Sequence, residues 1–239
     1  MTTSNLPIFL INLQSSTERL DQSDEQLSSL GLKYQRVDAI DYSKDVITEA
    51  DFVTKDIRAI WLSHLKALEM FLETGISYAL ILEDDFRILR RNSFLDDLEK
   101  IDFEKWDLIQ IGYLNTGLDI RIRIIFENLQ NRFFSILGKF SHVSFLSLMN
   151  LDSRLRVKDT RIAPRGYIPF SFLPGAHSYI ISREMAGAVL KLNHPQFLST
   201  DDFFMAIAKM RSFNTLRVNQ SIVGQNKGQS TIRERFKKY

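Results

Sequence analysis

The segment 77–85, SYALILEDD, constrains the fold most, because an apolar run leads directly into three consecutive carboxylates. A short apolar run bounded by turn signals is typical of a buried strand. Ligands of open α/β sheets bind beyond the carboxyl ends of the strands, so we expect Glu83, Asp84 and Asp85 at a ligand-binding edge. Adjacent acids repel one another unless a cation lies among them, and Mg²⁺ or Mn²⁺ prefers such oxygen ligands. Taken alone, the segment also fits acids that decorate a helix N-terminus.

Strand and helix patterns alternate along the first part of the chain. Apolar runs predict strands at 8–13, 34–37, 77–82, 107–111 and 177–182, and helical spacing predicts helices at 16–30, 54–73, 93–100 and 182–192. This alternation predicts an α/β fold with a doubly wound, mostly parallel central sheet flanked by helices. A further amphipathic helical pattern at 122–140 predicts a helical insertion. The sequence has no internal repeat, and we predict a single domain over 1–239.

Composition excludes several functions. The 239 residues include no cysteine, which excludes thiolate metal sites and cysteine nucleophiles and fits a reducing compartment. A net charge of +2 argues against nucleic-acid binding. The apolar run 6–13 is too short for a signal-peptide core or a membrane span, so we expect a cytoplasmic protein. Positive charge is concentrated at 119–165 and 227–239, and these segments could face an anionic partner.

A second acidic pair, Asp201 and Asp202, precedes an apolar stretch. Ser199 or Thr200 could cap a helix there, and acids in a first helical turn are favourable without any function. The alternative is that one carboxylate from this pair shares a cleft with the cluster at 83–85.

Three further side chains have a structural and a functional interpretation. His64 lies on the apolar face of a predicted helix and by itself fits a hydrogen-bonded core histidine. His177 begins a strand after Pro174 and Gly175, where it could turn into a cleft or hydrogen-bond within the loop. Arg19 follows the first strand and could meet a phosphate or a base, or could be an exposed helical arginine.

Taken in order, these motifs resemble glycosyltransferase family 25, the bacterial lipopolysaccharide and lipooligosaccharide glycosyltransferases. The matching segments cover most of the chain except about 113–170; they are IFLINLQSSTERL (8–20), LGLKYQRVDAID (30–41), LSHLKALEMFLETGISYALILEDD (62–85), PGAHSYIISREMAGAVL (174–190), STDDFF (199–204) and VGQNKGQSTI (223–232). The ordered set is specific, whereas each segment alone is a weak signal.

The resemblance implies a GT-A-like, Rossmann-type fold and a set of site residues. It implies a metal-binding acidic motif at 83–85, and we predict Glu83, Asp85 and His177 as metal ligands. Asp201 or Asp202 would be the catalytic base. The remaining implied residues would surround the nucleotide sugar; they are Asn12, Leu13, Arg19, Ala39, Ser63, His64, Asp84 and Gln225, the last with Ser230 in the terminal motif.

The resemblance further implies the reaction. The enzyme would move a hexose, commonly galactose from UDP-galactose, to a lipooligosaccharide or lipopolysaccharide acceptor, with inversion and with Mn²⁺ or Mg²⁺ as cofactor. The nucleotide-binding half would span about 1–112, the helical and basic insertion about 113–170 and the acceptor-side half about 171–239.

The residues alone leave alternatives open. The insertion could lie peripherally on the inner face of the bacterial inner membrane, where a lipid-linked acceptor is presented, or could pack on the core or cover the acceptor. The alternative functions are a non-catalytic sugar-nucleotide-binding module and a metal-dependent phosphoryl-transfer or hydrolytic enzyme, which would also use clustered acids.

Overall fold

A computed structural model describes residues 6–45, 53–114, 167–192, 196, 198–210 and 213–226. In these residues the chain forms five α-helices and nine strands. The strands are β1 (Ile8–Asn12), β2 (Gln35–Asp38), β3 (Tyr78–Glu83), β4 (Phe86–Ile88), β5 (Leu108–Gln110), β6 (Tyr167–Pro169), β7 (Ser178–Ser182), β8 (Thr215–Val218) and β9 (Val223–Gln225). The helices are α1 (Thr17–Ser28), α2 (Lys55–Glu73), α3 (Phe94–Glu99), α4 (Arg183–Val189) and α5 (Thr200–Met210).

Seven strands form one mixed central sheet in the order β2-β1-β3-β7-β5-β8-β6. Strand β1 pairs in parallel with β2 and β3, and β5 pairs in parallel with β8. Strand β7 lies antiparallel between β3 and β5, and β6 is antiparallel to β8. Five of the seven strands therefore point the same way, and β4 and β9 form a separate antiparallel pair.

Helices cover both faces of this sheet, which explains why its central strands β1, β3 and β7 are buried along nearly their whole length. Successive side chains of a strand point to opposite faces. In β1, Ile8 and Leu10 pack in the core that includes Leu27 of α1, whereas Phe9 and Ile11 pack in the core that includes Phe71 of α2. The helices α4 and α5 also pack in the second core. The sheet and its two helical layers confirm the predicted α/β, GT-A-like fold class.

The predicted elements at 8–13, 16–30, 54–73, 77–82 and 182–192 are all present within a few residues. The structure also shows strands that the sequence analysis did not predict, namely β4, β6, β8 and β9. The predicted helix at 122–140 lies outside the described residues. The division of the chain into two halves and an insertion stays a prediction. No helix among the described residues is long and apolar enough to cross a membrane.

Candidate active site

The two acidic clusters of the sequence meet at a cavity of about 160 Å³. The end of β3, the loop before β7 and the start of α5 contribute to its wall. The lining residues are Ile57, Ile60, Glu83, Leu114, Gly175, Ala176, His177, Ser199, Thr200, Asp201 and Gln225. The cavity therefore lies beyond the carboxyl end of β3, where open α/β sheets bind ligands.

Glu83 ends β3 and is held by a chain of buried side chains. His64 Nε2 lies 3.1 Å from Glu83 Oε1, and His64 Nδ1 lies 3.0 Å from the Tyr179 hydroxyl. Burial and the charge of Glu83 raise the pKa of Tyr179, so its hydroxyl stays protonated at neutral pH. In the tautomer with its proton on Nε2, His64 accepts from the Tyr179 hydroxyl and donates to Glu83. Burial acts to raise the pKa of Glu83, but the His64 hydrogen bond and nearby basic groups hold it below its usual value.

Asp84 turns away from the other two acids and joins β1 to α1. Its Oδ2 accepts a 2.8 Å hydrogen bond from Asn12 Nδ2, and its Oδ1 lies 3.1 Å from Arg19 Nη1. Burial raises the pKa of Asp84, although Asn12 and Arg19 favour its charged form. The cation of Arg19 and the carboxylate of Asp84 thus fix the chain just beyond the carboxyl end of β1.

Asp85 contacts the β4–β9 pair. Gln225 Nε2 donates a 2.8 Å hydrogen bond to Asp85 Oδ2, whereas the buried Oδ1 has no hydrogen-bond partner among the described residues. Burial, followed by the charges of Glu83 and Asp84, raises the pKa of Asp85 to about 7. In a continuous strand, Glu83 and Asp85 would point to the same side of the sheet. Residues 84 and 85 instead form a turn, so the alternation of side chains along β3 ends at Glu83. Each of the three acids therefore has its own partners.

Asp201 and Asp202 are adjacent in α5 but occupy different surroundings. Asp201 accepts backbone hydrogen bonds from Gly175 (2.9 Å) and Ala176 (2.7 Å), and burial raises its pKa despite these bonds. Asp202 is exposed and accepts a 2.7 Å hydrogen bond from Ser199 Oγ, which in turn accepts one from the backbone N–H of Asp202 at 3.2 Å. Ser199 is therefore the N-cap of α5, and the carboxylate of Asp202 holds its hydroxyl. Asp201 lines the cavity, whereas Asp202 contacts the capping serine from the solvent side.

His177 is buried beside the cavity in a space that two glycines create. A Cβ on Gly112 would lie 2.8 Å from His177 Nε2, and a Cβ on Gly175, whose φ is +110°, would lie 3.0 Å from Nδ1. Neither ring nitrogen makes a hydrogen bond of normal geometry to the described residues. Burial lowers the pKa of His177, and Glu83 and the backbone of Val223 offset this only in part. The ring therefore carries no charge at neutral pH.

The remaining predicted nucleotide residues fix loops at the same edge of the sheet. The carbonyl of Asn12 accepts from the backbone N–H of Ala39, which joins the chain beyond β1 to the chain beyond β2. Ser63 Oγ donates to the carbonyl of Ala59 (2.7 Å) and accepts from the N–H of Ile40 (2.9 Å). The carbonyl of Leu13 accepts from the N–H of Ser16. These side chains and carbonyls hold the backbone around the site; Ser230 lies outside the described residues.

The described residues contain no group of three or more histidine, aspartate or glutamate side chains that could hold a metal ion. The predicted ligands Glu83, Asp85 and His177 consequently do not form a ready-made three-ligand site. The reason is visible in their contacts, because Glu83 is bonded to His64 and Asp85 to Gln225. Their role toward a metal stays a prediction.

An acid-lined cavity at the carboxyl edge of a mixed α/β sheet is the arrangement of a ligand-binding enzyme site. The family model described as glycosyltransferase family 25 (LPS biosynthesis protein) matches residues 5–205, and the chain belongs to that family. It is accordingly a glycosyltransferase of lipopolysaccharide biosynthesis, with a sugar donor and an oligosaccharide acceptor.

The solved structures that are similar to this chain include the following two. The crystal structure of A197 from STIV is 16% identical, with 91% of this chain and 83% of that chain covered and a TM-score of 0.43. The crystal structure of a glycosyltransferase involved in the glycosylation of the major capsid of PBCV-1 is 11% identical, with 98% and 99% covered and a TM-score of 0.48. None of the curated proteins matches this chain.

Sequence reasoning missed two features of the site. Tyr179, which contacts His64, lies in the buried strand β7 and has no sequence pattern that marks it. Ile57 and Ile60 form part of the cavity wall near the start of α2, although their spacing indicates only an apolar helix face. The register between β3 and β7 brings Tyr179 close to the site. That register depends on how two distant segments pair, which the local sequence does not show.

Proposed function

We propose that the protein transfers a hexose, with galactose as the first choice, from a UDP-sugar to a hydroxyl of a lipooligosaccharide or lipopolysaccharide acceptor, with inversion at the anomeric carbon. The observation that carries this proposal is the cavity in which Asp201 and Glu83 come together at the carboxyl edge of the sheet. An acceptor hydroxyl needs a carboxylate within reach, and the leaving nucleotide needs a site beside it.

Asp201 is the general base in this proposal. Backbone N–H groups of Gly175 and Ala176 hold both carboxylate oxygens in place, and each oxygen keeps a lone pair for the acceptor. The raised pKa of Asp201 makes its ionised form a stronger proton acceptor. The acceptor oxygen bonds to the anomeric carbon while the bond from that carbon to the UDP oxygen breaks. The acceptor proton passes to Asp201, and UDP leaves with the bonding electrons.

The donor nucleotide would bind along the loops beyond β1 and β2. Asn12, Ser63 and Asp84 act there by fixing the backbone, since their side chains are buried and hydrogen-bonded to neighbouring loops. Arg19 supplies a partly exposed positive charge next to Asp84. A guanidinium suits a phosphate group. Of the predicted nucleotide residues, Arg19 is therefore our choice for direct contact with the diphosphate.

A divalent cation fits two of the three acids at the end of β3. The buried Asp85 Oδ1 has no hydrogen-bond partner among the described residues, and Mg²⁺ is commonly held by one or two carboxylates together with substrate phosphates. We therefore propose Glu83 and Asp85 as ligands of Mn²⁺ or Mg²⁺ in a site that the UDP phosphates complete. His177, the third predicted ligand, lies in the same cavity as Glu83. When bound, the ion would stabilise the negative charge of the departing diphosphate.

An assay of UDP release tests the transfer. The protein is incubated with a panel of UDP-hexoses and Mn²⁺, with and without truncated lipooligosaccharide acceptors, and the anomeric configuration of the product is read by NMR. We expect UDP release that depends on the acceptor, and an inverted product. Phosphate release from simple phosphoesters would favour a hydrolytic enzyme, and UDP-sugar binding without turnover would favour a binding module.

A calorimetric titration tests the metal site. We expect Mn²⁺ to bind tightly only when UDP is present, because the protein supplies too few ligands by itself. Tight Mn²⁺ binding without UDP, or UDP release that persists in excess EDTA, would contradict this site.

Peripheral attachment to the inner face of the inner membrane belongs to the same proposal, since a lipid-linked acceptor is presented there. Co-sedimentation with anionic liposomes at low and high salt is its test. We expect binding at low salt that weakens at high salt, as electrostatic attraction is screened.

A further inference from the structure

One residue of the cavity wall has a buried hydroxyl that none of the contacts described above uses. Thr200, the first residue of α5, lines the cavity and is only 4% exposed. Its Oγ1 atom is buried and makes no hydrogen bond within the described residues. A buried hydroxyl without a partner destabilises the folded state. If packing alone mattered at this position, a valine would give a more stable folded state.

The other polar residues at the start of α5 already perform the local structural tasks. Ser199 caps the helix and is held by Asp202, and Asp201 fixes the turn at Gly175 and Ala176. None of these tasks uses the hydroxyl of Thr200, which belongs to the cavity wall and has no partner among the described residues.

The size and lining of the cavity suit a sugar ring. Its volume is about 160 Å³, and since an engineered cavity of ~150 Å³ holds benzene, there is room for the six-membered ring itself. Ile57, Ile60 and Leu114 supply apolar walls, while Glu83 and Asp201 supply acceptors. A pyranose combines the same two characters, because its C–H faces are apolar and its rim carries hydroxyl groups.

We propose that Thr200 is a specificity-determining residue whose Oγ1 hydrogen-bonds one hydroxyl of the pyranose bound in this cavity. The inference rests on the proposed sugar transfer and deepens it, since it names the group by which the protein distinguishes hexoses. A site built to hydrogen-bond a hydroxyl rejects an analogue that lacks it, because the protein group is then left buried and unpaired. The ring belongs to the donor hexose or to the acceptor residue, and the shared chemistry is the sugar hydroxyl.

The test combines Thr200→Val with substrates that each lack one hydroxyl. For wild type and variant, kcat/KM is measured with a series of monodeoxy UDP-hexoses and with a series of monodeoxy acceptors. We expect wild type to discriminate strongly against one analogue, and Thr200→Val to lower kcat/KM for the parent substrate about tenfold without lowering it for that analogue. The series in which this analogue falls identifies the donor or the acceptor as the bound ring.

Two variants serve as matched controls. Thr200→Ser keeps the hydroxyl and should keep the discrimination. Thr215 in β8 also has a buried Oγ1 without a partner among the described residues, but it does not line the cavity. Thr215→Val should therefore leave every ratio unchanged.

Failure of this inference can be told apart from failure of the proposed function. No transfer by wild type to any acceptor would count against the function itself. Transfer that Thr200→Val slows equally for all analogues, or does not slow at all, would overturn the role of Thr200 and leave the function standing. If Thr200→Val does not fold, wild type alone decides, because equal use of every monodeoxy analogue would overturn the inference.

Discussion

The acids at the end of β3 and the acids at the start of α5 are alike in sequence but differ in the structure. Glu83, Asp84 and Asp85 are each drawn to a different neighbouring element, and none is fully exposed. Asp201 and Asp202 instead divide into one acid that lines the cavity and one that lies in solvent.

The backbone explains this difference. A strand that passes into a tight turn changes the direction of each successive side chain, so three adjacent acids reach three partners. In a helix, consecutive residues are rotated by about 100°, so one acid faces the cavity and the next faces away. Adjacent acids therefore need not share a role, and the local backbone decides which of them meets a substrate.

Asp201→Asn should have the largest effect, because it removes the proposed base while keeping the shape of the side chain. We expect kcat to fall by about 10²- to 10⁴-fold, measured as acceptor-dependent UDP release. Asp202→Asn is the matched control and should retain most of the activity, since Asp202 is exposed and contacts Ser199. If Asp202→Asn were the more damaged variant, the assignment of the two roles would be reversed.

The positions of both clusters could be predicted from the sequence, but their orientations could not. The apolar run before Glu83 and the capping residue Ser199 are local signals, and the structure confirms them; Ser199 Oγ accepts from the backbone N–H of Asp202 at 3.2 Å. The turn at residues 84 and 85 has no glycine or proline to mark it.

The direction in which each strand runs could not be predicted from the sequence either. The hydrophobic pattern of β7 is that of any buried strand, and nothing local shows that it runs antiparallel to β3 and β5. That antiparallel pairing brings Tyr179 toward His64 and the loop at 175–177 toward Glu83. These contacts depend on packing between distant segments, which explains why a prediction from local patterns missed them.

Asp85→Asn tests the electrostatic stress in the β3 cluster. The pKa of Asp85 is raised to about 7 in the folded protein, so the folded state binds its proton more tightly than the unfolded state does. Stability is therefore lost as the pH rises from about 4 to about 7, by at most roughly 4 kcal/mol. We expect Asp85→Asn to be more stable than wild type at pH 8 and nearly equal to it at pH 4.

Urea midpoints of the metal-free protein at the two pH values provide the measurement. Asp84→Asn is the contrasting variant, because Asp84 has a cationic partner in Arg19 and loses that ion pair when it is neutralised. A stability difference between Asp85→Asn and wild type that does not change with pH would show that Asp85 carries no such stress.

His64→Ala should destabilise the protein by about 2–3 kcal/mol, as expected when a buried hydrogen bond to a charged group is lost. The change leaves Glu83 Oε1 and the Tyr179 hydroxyl without their shared partner. The free energy of unfolding from urea titration is the measurement, and His64→Gln is the control that keeps a polar group. A loss as small as that of an exposed substitution would mean that Glu83 does not depend on His64.

Ser199→Ala should have the smallest effect and tests the N-cap of α5, at the edge of the cavity. Ser199 Oγ accepts from the backbone N–H of Asp202 and donates to its carboxylate, so its removal leaves the first turn of the helix uncapped. Loss of a cap typically lowers stability by about 1 kcal/mol. We expect this loss in urea unfolding with little change in kcat, because Asp201 is held by the backbone of Gly175 and Ala176 instead. A large fall in kcat at unchanged stability would show that the capping pair reaches the reacting groups, and the separation of roles between Asp201 and Asp202 would be wrong.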